Sequence, residues 1–461
     1  MNIEICNVLN VDITDDLLLQ IVIDELTYEN PLYIEAQKAN RSTRGITKIL
    51  KNFKFLNGQY QLPRGYLSRL LTIVTELGIP FNIIESRSVV PLVNTYEHSI
   101  LLRDYQLNAL KNISNYTEGL LEAPAGSGKT IIGIAALLMC NQKSIWITHT
   151  KQLLFQFVDR VKQFLKIPET DIGLIYDGKW DSDKPITAAL VQTLRTDVKK
   201  LTDISQSFGT VIVDECHHCP SATFTDVLTQ LNPYYLFGLT ATPTRRDGLE
   251  KILFQNVGPI RHIIPRKEVA DRVITPTIVT KYIDTPNIPE EISYQKLLQL
   301  LTKSKFRNNI IIKDVVEQAT LKNVCIVVTE RVEHAELLYK GIKNYWPKVG
   351  IMVGKKSDKL RAETLEQLHD GSITVLVCTS HLLGEGFDHA PLNRLFIGLS
   401  FRNPTRCEQL VGRVQRISEG KTDALIFDYV DNHGLTKHQY KNFGDLGCRY
   451  NVYRKLGCNI T

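Results

Sequence analysis

The sequence predicts an α/β protein: two parallel-sheet domains of similar size behind a small α+β domain at the N-terminus. Three observations predict it. From residue 96 to about 270, short apolar runs alternate with helical patterns, as βα units on a parallel sheet do. After a loose, Pro-rich stretch at Asp284–Pro289, which reads as a linker, the same alternation resumes. The length of 461 residues exceeds a single core, since about 150 residues per domain is usual. The expected boundaries are residues 1–95, 96–275 and 276–461.

Composition fits folded domains. Hydrophobic residues make up 43% and charged residues 23%, which excludes a disordered chain or a fibre. No apolar run approaches the ~18–20 residues of a spanning helix, so no membrane partner is expected. Residues 1–35 hold no Lys or Arg, and the run Leu17–Ile23 is short and flanked by Asp, unlike a signal peptide. Nine cysteines, an odd number scattered over a long chain, suit reduced thiols in a cytoplasm.

Residues 1–95 are marked by charge. The net charge of +6 is mild, yet residues 1–35 carry eight acids and no bases, and residues 36–75 carry eight bases and no acids. Phe53, Phe55, Tyr60 and Tyr66 are interleaved with those bases. Lys48, Lys51, Lys54 and Arg64, with stacking from Phe53 or Tyr66, would make a platform for nucleic-acid phosphates and bases. The bland alternative is a solvated face, or a basic half that neutralises the acidic half. No base-reading motif is present, so recognition of backbone and shape is expected.

In the first α/β domain the expected strands are Gly119–Glu122, Ser144–Thr148, Thr187–Val191, Thr210–Val213 and Tyr235–Leu239. The first runs into Ala125-Gly126-Ser127-Gly128-Lys129-Thr130, and a helix over Ile131–Cys140 follows. That is the strand–loop–helix setting of a phosphate-binding loop, with Ala123 in place of its first Gly. Gly126 and Gly128 let backbone N–H groups approach phosphate oxygens at a helix N-terminus. Lys129 would reach the β- and γ-phosphates of ATP, and Thr130 would place its hydroxyl on Mg²⁺. The fourth strand ends in Val213-Asp214-Glu215-Cys216-His217. Asp214 would hold Mg²⁺, and Glu215 would orient or deprotonate the attacking water. Cys216-His217-His218-Cys219 could be a metal box, but no second ligand pair sits at a partner spacing.

In the second α/β domain the expected strands are Asn323–Thr329, Gly350–Val353, Thr374–Cys378, Arg394–Ile397 and Ala424–Asp428. Arg413 and Arg416 are three apart, a spacing that a helix puts on one face. The basic, Tyr-containing tail from Lys437 reads as a closing helix packed on this domain.

Taken in order, these motifs resemble those of superfamily 2 helicases over roughly residues 100–430. Leu102-Arg103-Asp104-Tyr105-Gln106 resembles the element before the ATP loop, and Asp214-Glu215-Cys216-His217 resembles the second motif. Thr148-His149-Thr150-Lys151 and Gln192-Thr193-Leu194 resemble nucleic-acid motifs, and Thr240-Ala241-Thr242-Pro243 resembles the motif that couples hydrolysis to the strand. Val327-Val328-Thr329 resembles the fourth motif. Thr379-Ser380 with Gly384-Glu385-Gly386-Phe387-Asp388 resembles the fifth, and Gln409–Arg416 the sixth. Leu62-Pro63-Arg64-Gly65 and the run Gly238–Gly248 resemble the XPB-like branch, and the short chain resembles the phage UvsW type, while type III restriction motors and poxvirus-type transcript-release helicases share much of the pattern. Cys216, and Val414-Gln415 between the arginines, depart from many relatives without removing a reacting group.

The resemblance implies two RecA-like motor domains that hydrolyse ATP with Mg²⁺ while acting on DNA. Arg103 and Gln106 would hold the nucleotide, Gln106 reading adenine, together with residues 125–130, Gly386 and Asp388. Arg413 and Arg416 would serve as arginine fingers. Thr148, Lys151, Gln192, Thr193 and Thr379 would meet nucleic acid. His149, His217 and His218 read as hydrogen-bonding couplers. The expected partners are forked, three-way or four-way junctions and single strands, with 3′→5′ polarity, and recombination, replication or repair proteins beside them. The expected place is a cytoplasm, that of the host cell if the protein is phage-encoded. A second class stays open: an ATP-gated clamp, or an RNA-displacing motor, with little unwinding. Glu215 with both arginines favours turnover over a clamp.

Overall fold

The computed structural model describes residues 1–461 except 39–41, 93–95, 125, 219–221, 242–249, 355–357, 384–386, 388 and 443–447. The backbone divides into two compact units, residues 1–268 and 269–461. The first unit therefore joins the N-terminal domain to the first α/β domain.

The N-terminal domain is a five-stranded sheet in the order Lys54–Leu56, Gln59–Pro63, Val8–Val11, Asn2–Ile5, Asn82–Glu85. Among the described residues its helices are Asp16–Leu26, Pro31–Lys38 and Leu67–Glu76. Asp15 caps the first, its Oδ1 accepting from Leu18 N at 2.8 Å. Leu18, Val22 and Leu26, four apart, fall on the buried side of that helix and pack with Leu70 and Val74 over Ile3 and Leu9.

The first α/β domain carries an eight-stranded sheet. The order is Lys179–Trp180, Ile172–Tyr176, Ile186–Leu190, Ser144–Thr148, Thr210–Val213, Tyr235–Thr240, Glu118–Glu122, Ile260–Ile263. Every pairing is parallel except that between the first two strands. The five strands expected here form within a residue of their expected bounds. They are apolar runs because helices cover both faces of a parallel sheet. The unforeseen edge is a hairpin about Asp177-Gly178, both left-handed (φ 46° and 83°), the turn that an Asp-Gly pair favours.

The N-terminal domain is locked onto the edge of this sheet where its strands begin. Arg64 is buried there. Its Nε donates to Glu118 Oε2 (2.9 Å), its Nη2 to the Tyr234 carbonyl (2.7 Å) and its Nη1 to the Pro233 carbonyl. Glu118 opens one strand, and Tyr234 precedes another. Beside it, Gly65 lies so close to the chain at 254–258 that a Cβ would stand 2.4 Å from Gly258 N. Arg87 lies over the Tyr234 ring (4.5 Å) and donates to Thr117 Oγ1 (2.9 Å).

The second unit has seven parallel strands in the order Val349–Met352, Val375–Thr379, Cys325–Thr329, Arg394–Ile397, Leu425–Asp431, Thr277–Ile283, Asn459–Ile460. The tail does close the domain. Helix Arg449–Lys455 is followed by the edge strand, and Arg449 is buried in a double hydrogen bond to Asp428 (2.8 and 2.9 Å). The eight described cysteines are free thiols. Among the described residues, no helix is long and apolar enough to cross a membrane.

His334 gives this unit a pH dependence. It is buried between Thr329 Oγ1 (2.8 Å at Nδ1) and Asn308 Oδ1 (2.9 Å at Nε2). Asn308 Oδ1 can only accept, so Nε2 donates, and Nδ1 of the neutral ring accepts the Thr329 hydroxyl. Burial, and then the charge of Arg307, push the pKa well below the ordinary 6.5. The unfolded chain therefore binds a proton below about pH 6.5 that the folded one refuses, and stability falls with pH through that window. The denaturation midpoint should drop between about pH 7 and pH 5.5, and His334→Gln should flatten that slope. Equilibrium denaturation of both proteins across pH checks this.

Candidate active site

The matched motifs of the first unit lie where the strands of the large sheet end, at the carboxyl edge where α/β sheets bind ligands. The phosphate loop follows Glu118–Glu122. The acidic pair follows Thr210–Val213, and Thr240 ends the strand between them. The expected nucleic-acid residues follow Ser144–Thr148 and Ile186–Leu190, on the other side of the acidic pair.

The loop has the backbone its glycines suggested. Gly126 and Gly128 are left-handed (φ 83° and 78°), and the helix Lys129–Cys140 starts directly after Gly128. A Cβ on Gly128 would stand 2.6 Å from Gln106 Nε2. Ser127 Oγ is buried and has no hydrogen-bond partner among the described residues. An orphaned hydroxyl beside two left-handed glycines and a helix N-terminus fits a phosphate ligand. Thr130 and Asp214 are an oxygen-donor pair suited to Mg²⁺. Ala125 lies outside the described residues.

Lys129 Nζ meets Glu215 Oε1 at 3.0 Å. His217 Nδ1 lies 3.4 Å from the other oxygen of Glu215 and 3.1 Å from Thr240 Oγ1. Burial opposes ionisation of Glu215, but Lys129 and then His217 outweigh it and hold the carboxyl well below the usual carboxylate range. Glu215 is left-handed (φ 47°), an uncommon conformation for a residue with a Cβ, and its N–H meets Asp214 Oδ1 at 3.0 Å. The turn thus aims two adjacent carboxylates differently. Cys216 is buried in the core, and His217 is engaged with Glu215 and Thr240, so both serve packing and coupling here. Cys219 lies outside the described residues.

Gln106, expected to read adenine, also holds the protein's own backbone. It is buried, its Oε1 accepts from Arg103 N (3.0 Å), and its Nε2 donates to the Ser127 carbonyl (2.8 Å). It caps its own helix and props the phosphate loop. Tyr105 also props the loop, its hydroxyl donating to the Ser127 carbonyl (3.1 Å). Arg103 is exposed and donates to that hydroxyl (3.1 Å).

The expected nucleic-acid residues divide. Thr148 is fully buried, with its hydroxyl turned to the Thr150 carbonyl (3.2 Å), so it shapes the strand end instead of offering a contact. Lys151 is half-exposed and paired with Asp177 of the unforeseen hairpin. Gln192 is exposed and donates to the His149 carbonyl (3.0 Å), which joins the two expected motifs, and Thr193 is half-buried beside it. Thr379 is buried at its strand end. Lys48, Lys51 and Lys54 are exposed, as a phosphate contact needs. Arg64 is not available: it is locked against Glu118, and Tyr66 is buried with its hydroxyl on Glu25 (2.8 Å).

In the second unit, helix Pro404–Val414 is capped by Asn403, whose Oδ1 accepts from Arg406 N (3.0 Å). Arg413 lies in its last turn. Arg416 lies beyond its end, in a β-bridge with Val273, so one helix face does not hold both arginines. The missed partner is Lys421, whose Nζ donates to the carbonyls of Arg416 (2.7 Å) and Ala390 (3.3 Å). No motif marks it, because it acts through backbone oxygens. Gly386 and Asp388 lie outside the described residues.

Comparison with known proteins agrees with this layout. A model of the type III restriction enzyme res subunit matches residues 99–245, and a model of the helicase conserved C-terminal domain matches residues 305–418. The chain is 25% identical to the "Probable helicase D10" of Escherichia phage T5, over 84% of this chain and 82% of that protein. It is 25% identical to the ATP-dependent DNA helicase uvsW of Enterobacteria phage T4, over 71% of this chain and 69% of that protein. It is 30% identical to the DNA 3′-5′ translocase XPB2 of Sulfurisphaera tokodaii, over 52% and 51%. The sheets of both units are RecA-like, as expected.

Proposed function

The chain belongs to superfamily 2 of the helicases, and from that premise we propose that it is a DNA motor that opens and migrates branched DNA in recombination, replication or repair, moving 3′→5′. Its similarity to a phage DNA helicase and to a DNA 3′-5′ translocase supports DNA and that polarity. Host-cell cytoplasm is the place that goes with a phage source.

One observation carries the reading: the unbroken chain Lys129–Glu215–His217–Thr240. ATP would supply the phosphoanhydride, and Thr130 and Asp214 would hold the Mg²⁺ that neutralises its charge. Without a phosphate Lys129 and Glu215 neutralise each other. An arriving anion competes for Lys129, and a released Glu215 carboxylate can orient water while His217 still holds it. His217 also touches Thr240, the first residue of the motif tied to strand contact, so a change at Glu215 is felt there. Glu215 in this place favours turnover over a passive clamp. Arg413 and Arg416 keep the arginine-finger role within this proposal, with Lys421 holding the backbone of the second.

The test is hydrolysis measured with single strands, forked duplex, three-way and four-way junctions and a DNA–RNA hybrid. DNA should stimulate the rate, branched DNA most. Affinity should fall with salt at a log–log slope of about −0.7 to −0.9 per phosphate neutralised. A rate indifferent to DNA and strongly raised by RNA would make it an RNA motor.

A further inference from the structure

The hairpin formed by Lys54–Leu56 and Gln59–Pro63 carries side chains that neither the nucleotide site nor the domain core uses. Its turn, Asn57-Gly58, is left-handed at both residues (φ 51° and 81°), a tight two-residue connection. The hairpin's returning strand is tied to the strand beside it: Gln59 Nε2 donates to Asp12 Oδ1 (2.7 Å) and Gln61 Nε2 to Asn10 Oδ1 (3.2 Å). Its outer strand stands clear. Phe55 is 60% exposed and Leu56 53%. A Cβ on Gly58 would meet nothing within 4 Å. Phe55 packs on its cross-strand partner Tyr60, ring centroids 4.8 Å apart, and Phe53 lies 6.4 Å from the same ring. Large apolar side chains on an exposed edge strand are a liability unless a partner covers them.

Charge indicates the partner. Lys48, Lys51 and Lys54 are exposed and enter no salt bridge among the described residues. The acidic N-terminal segment does not neutralise them: Glu25 is paired with Arg69 (2.6 Å), and Arg64 is taken by Glu118. An exposed aromatic hairpin with Lys54 on its outer strand, reached through a segment that carries exposed Lys48 and Lys51, suits a polyanion that also offers a flat apolar face, which describes an unstacked base in DNA. Resting on the DNA reading above, we infer that Phe55 and Leu56 form a wedge that stacks on the base exposed where strands part at a branch point. Lys48, Lys51 and Lys54 hold the phosphates on either side. Phe55 takes the place expected of Tyr66, which is buried.

The test uses the full chain and a forked DNA carrying 2-aminopurine at the first base pair of the fork. Binding of wild type should change that fluorescence. Phe55→Ala with Leu56→Ser should abolish the change, weaken fork binding about ten-fold and slow strand separation, while single-strand-stimulated hydrolysis persists. Phe55→Trp should restore the signal. Replacing the three lysines by Ala should instead flatten the salt dependence of fork binding. An unaltered fluorescence change and affinity in the Phe55→Ala, Leu56→Ser protein would overturn the wedge. So would self-association of the wild type that this variant abolishes without any effect on the fork, since that would mean strand pairing between copies. A wild type indifferent to every DNA would remove the DNA reading and the wedge with it. A DNA-stimulated wild type whose fork response ignores these substitutions removes the wedge alone.

Discussion

Lys129→Ala should lower steady-state ATP hydrolysis by at least about 10²–10³-fold, the usual cost of removing one preorganised charge donor from an active site. The expectation rests on two facts. Lys129 is the cation that the phosphate loop itself carries, and its ammonium already lies against Glu215 (3.0 Å) at the turn that follows Asp214. Its loss also leaves Glu215 a half-buried carboxylate without its main counter-charge, so the variant should bind nucleotide poorly as well. Glu215→Gln separates the two roles. It keeps the size of the side chain and its contact with His217 but removes the negative charge that would compete with phosphate for Lys129. That protein should bind ATP at least as tightly as wild type, turn it over very slowly and accumulate in a DNA-bound state. Nucleotide binding and hydrolysis measured on both variants decide the matter. Near-normal turnover in either would mean that the site is elsewhere.

Arg64→Ala should destabilise the first unit by about 3–5 kcal/mol, the range for breaking a buried ion pair from one side. The guanidinium makes three hydrogen bonds, and the alanine variant leaves Glu118 buried without its counter-charge, the Pro233 carbonyl without its donor and the Tyr234 carbonyl with only the longer bond from Arg87 (3.4 Å). Replacing both partners, Arg64→Met with Glu118→Leu, should recover most of the loss, because then no charge is stranded. Since Arg64 sits at the opening edge of the sheet and the nucleotide motifs at its carboxyl edge, the folded fraction should still bind ATP. Equilibrium denaturation of the three proteins checks this. A DNA-contact role for Arg64 makes the opposite prediction: unchanged stability and a shallower salt slope for DNA binding. The same pair affects how the N-terminal domain should be tested. A chain starting near residue 96 would expose Glu118 and the surface around Tyr234, so substitutions at the lysine-rich hairpin probe its role more cleanly than truncation.

Most of the motor core was legible in the sequence. Parallel strands buried on both faces are uninterrupted apolar runs, and all ten expected ones formed, most within a residue or two of their expected ends. The phosphate loop was legible because glycine, lysine and threonine at that spacing leave few alternatives. The strands that were missed, Ile172–Tyr176 with Lys179–Trp180, Ile260–Ile263, Thr277–Ile283 and Asn459–Ile460, lie in the outer parts of their sheets. There, pairing depends on what the neighbouring strand leaves open more than on the strand's own pattern. The helix expected to carry both Arg413 and Arg416 ends at Val414, and spacing alone did not reveal where its backbone would leave the helical path.

The basic stretch 36–75 marks the border between the two kinds of information. By itself the sequence determined that this chain has a small charged domain before two ATP-type α/β domains, and which residues could meet phosphate. It could not sort cations by fate, because a charge pattern is one-dimensional and burial is not. Arg64 and Lys54 read alike in the sequence. Only the packing of Gly65 against the chain at 254–258 drew Arg64 out of water and onto Glu118, while a two-residue turn left Lys54 and Phe55 at a solvent-facing tip. Desolvation made the first a structural pin, since a buried guanidinium must find acceptors where it lies. Continued hydration left the second free to bind.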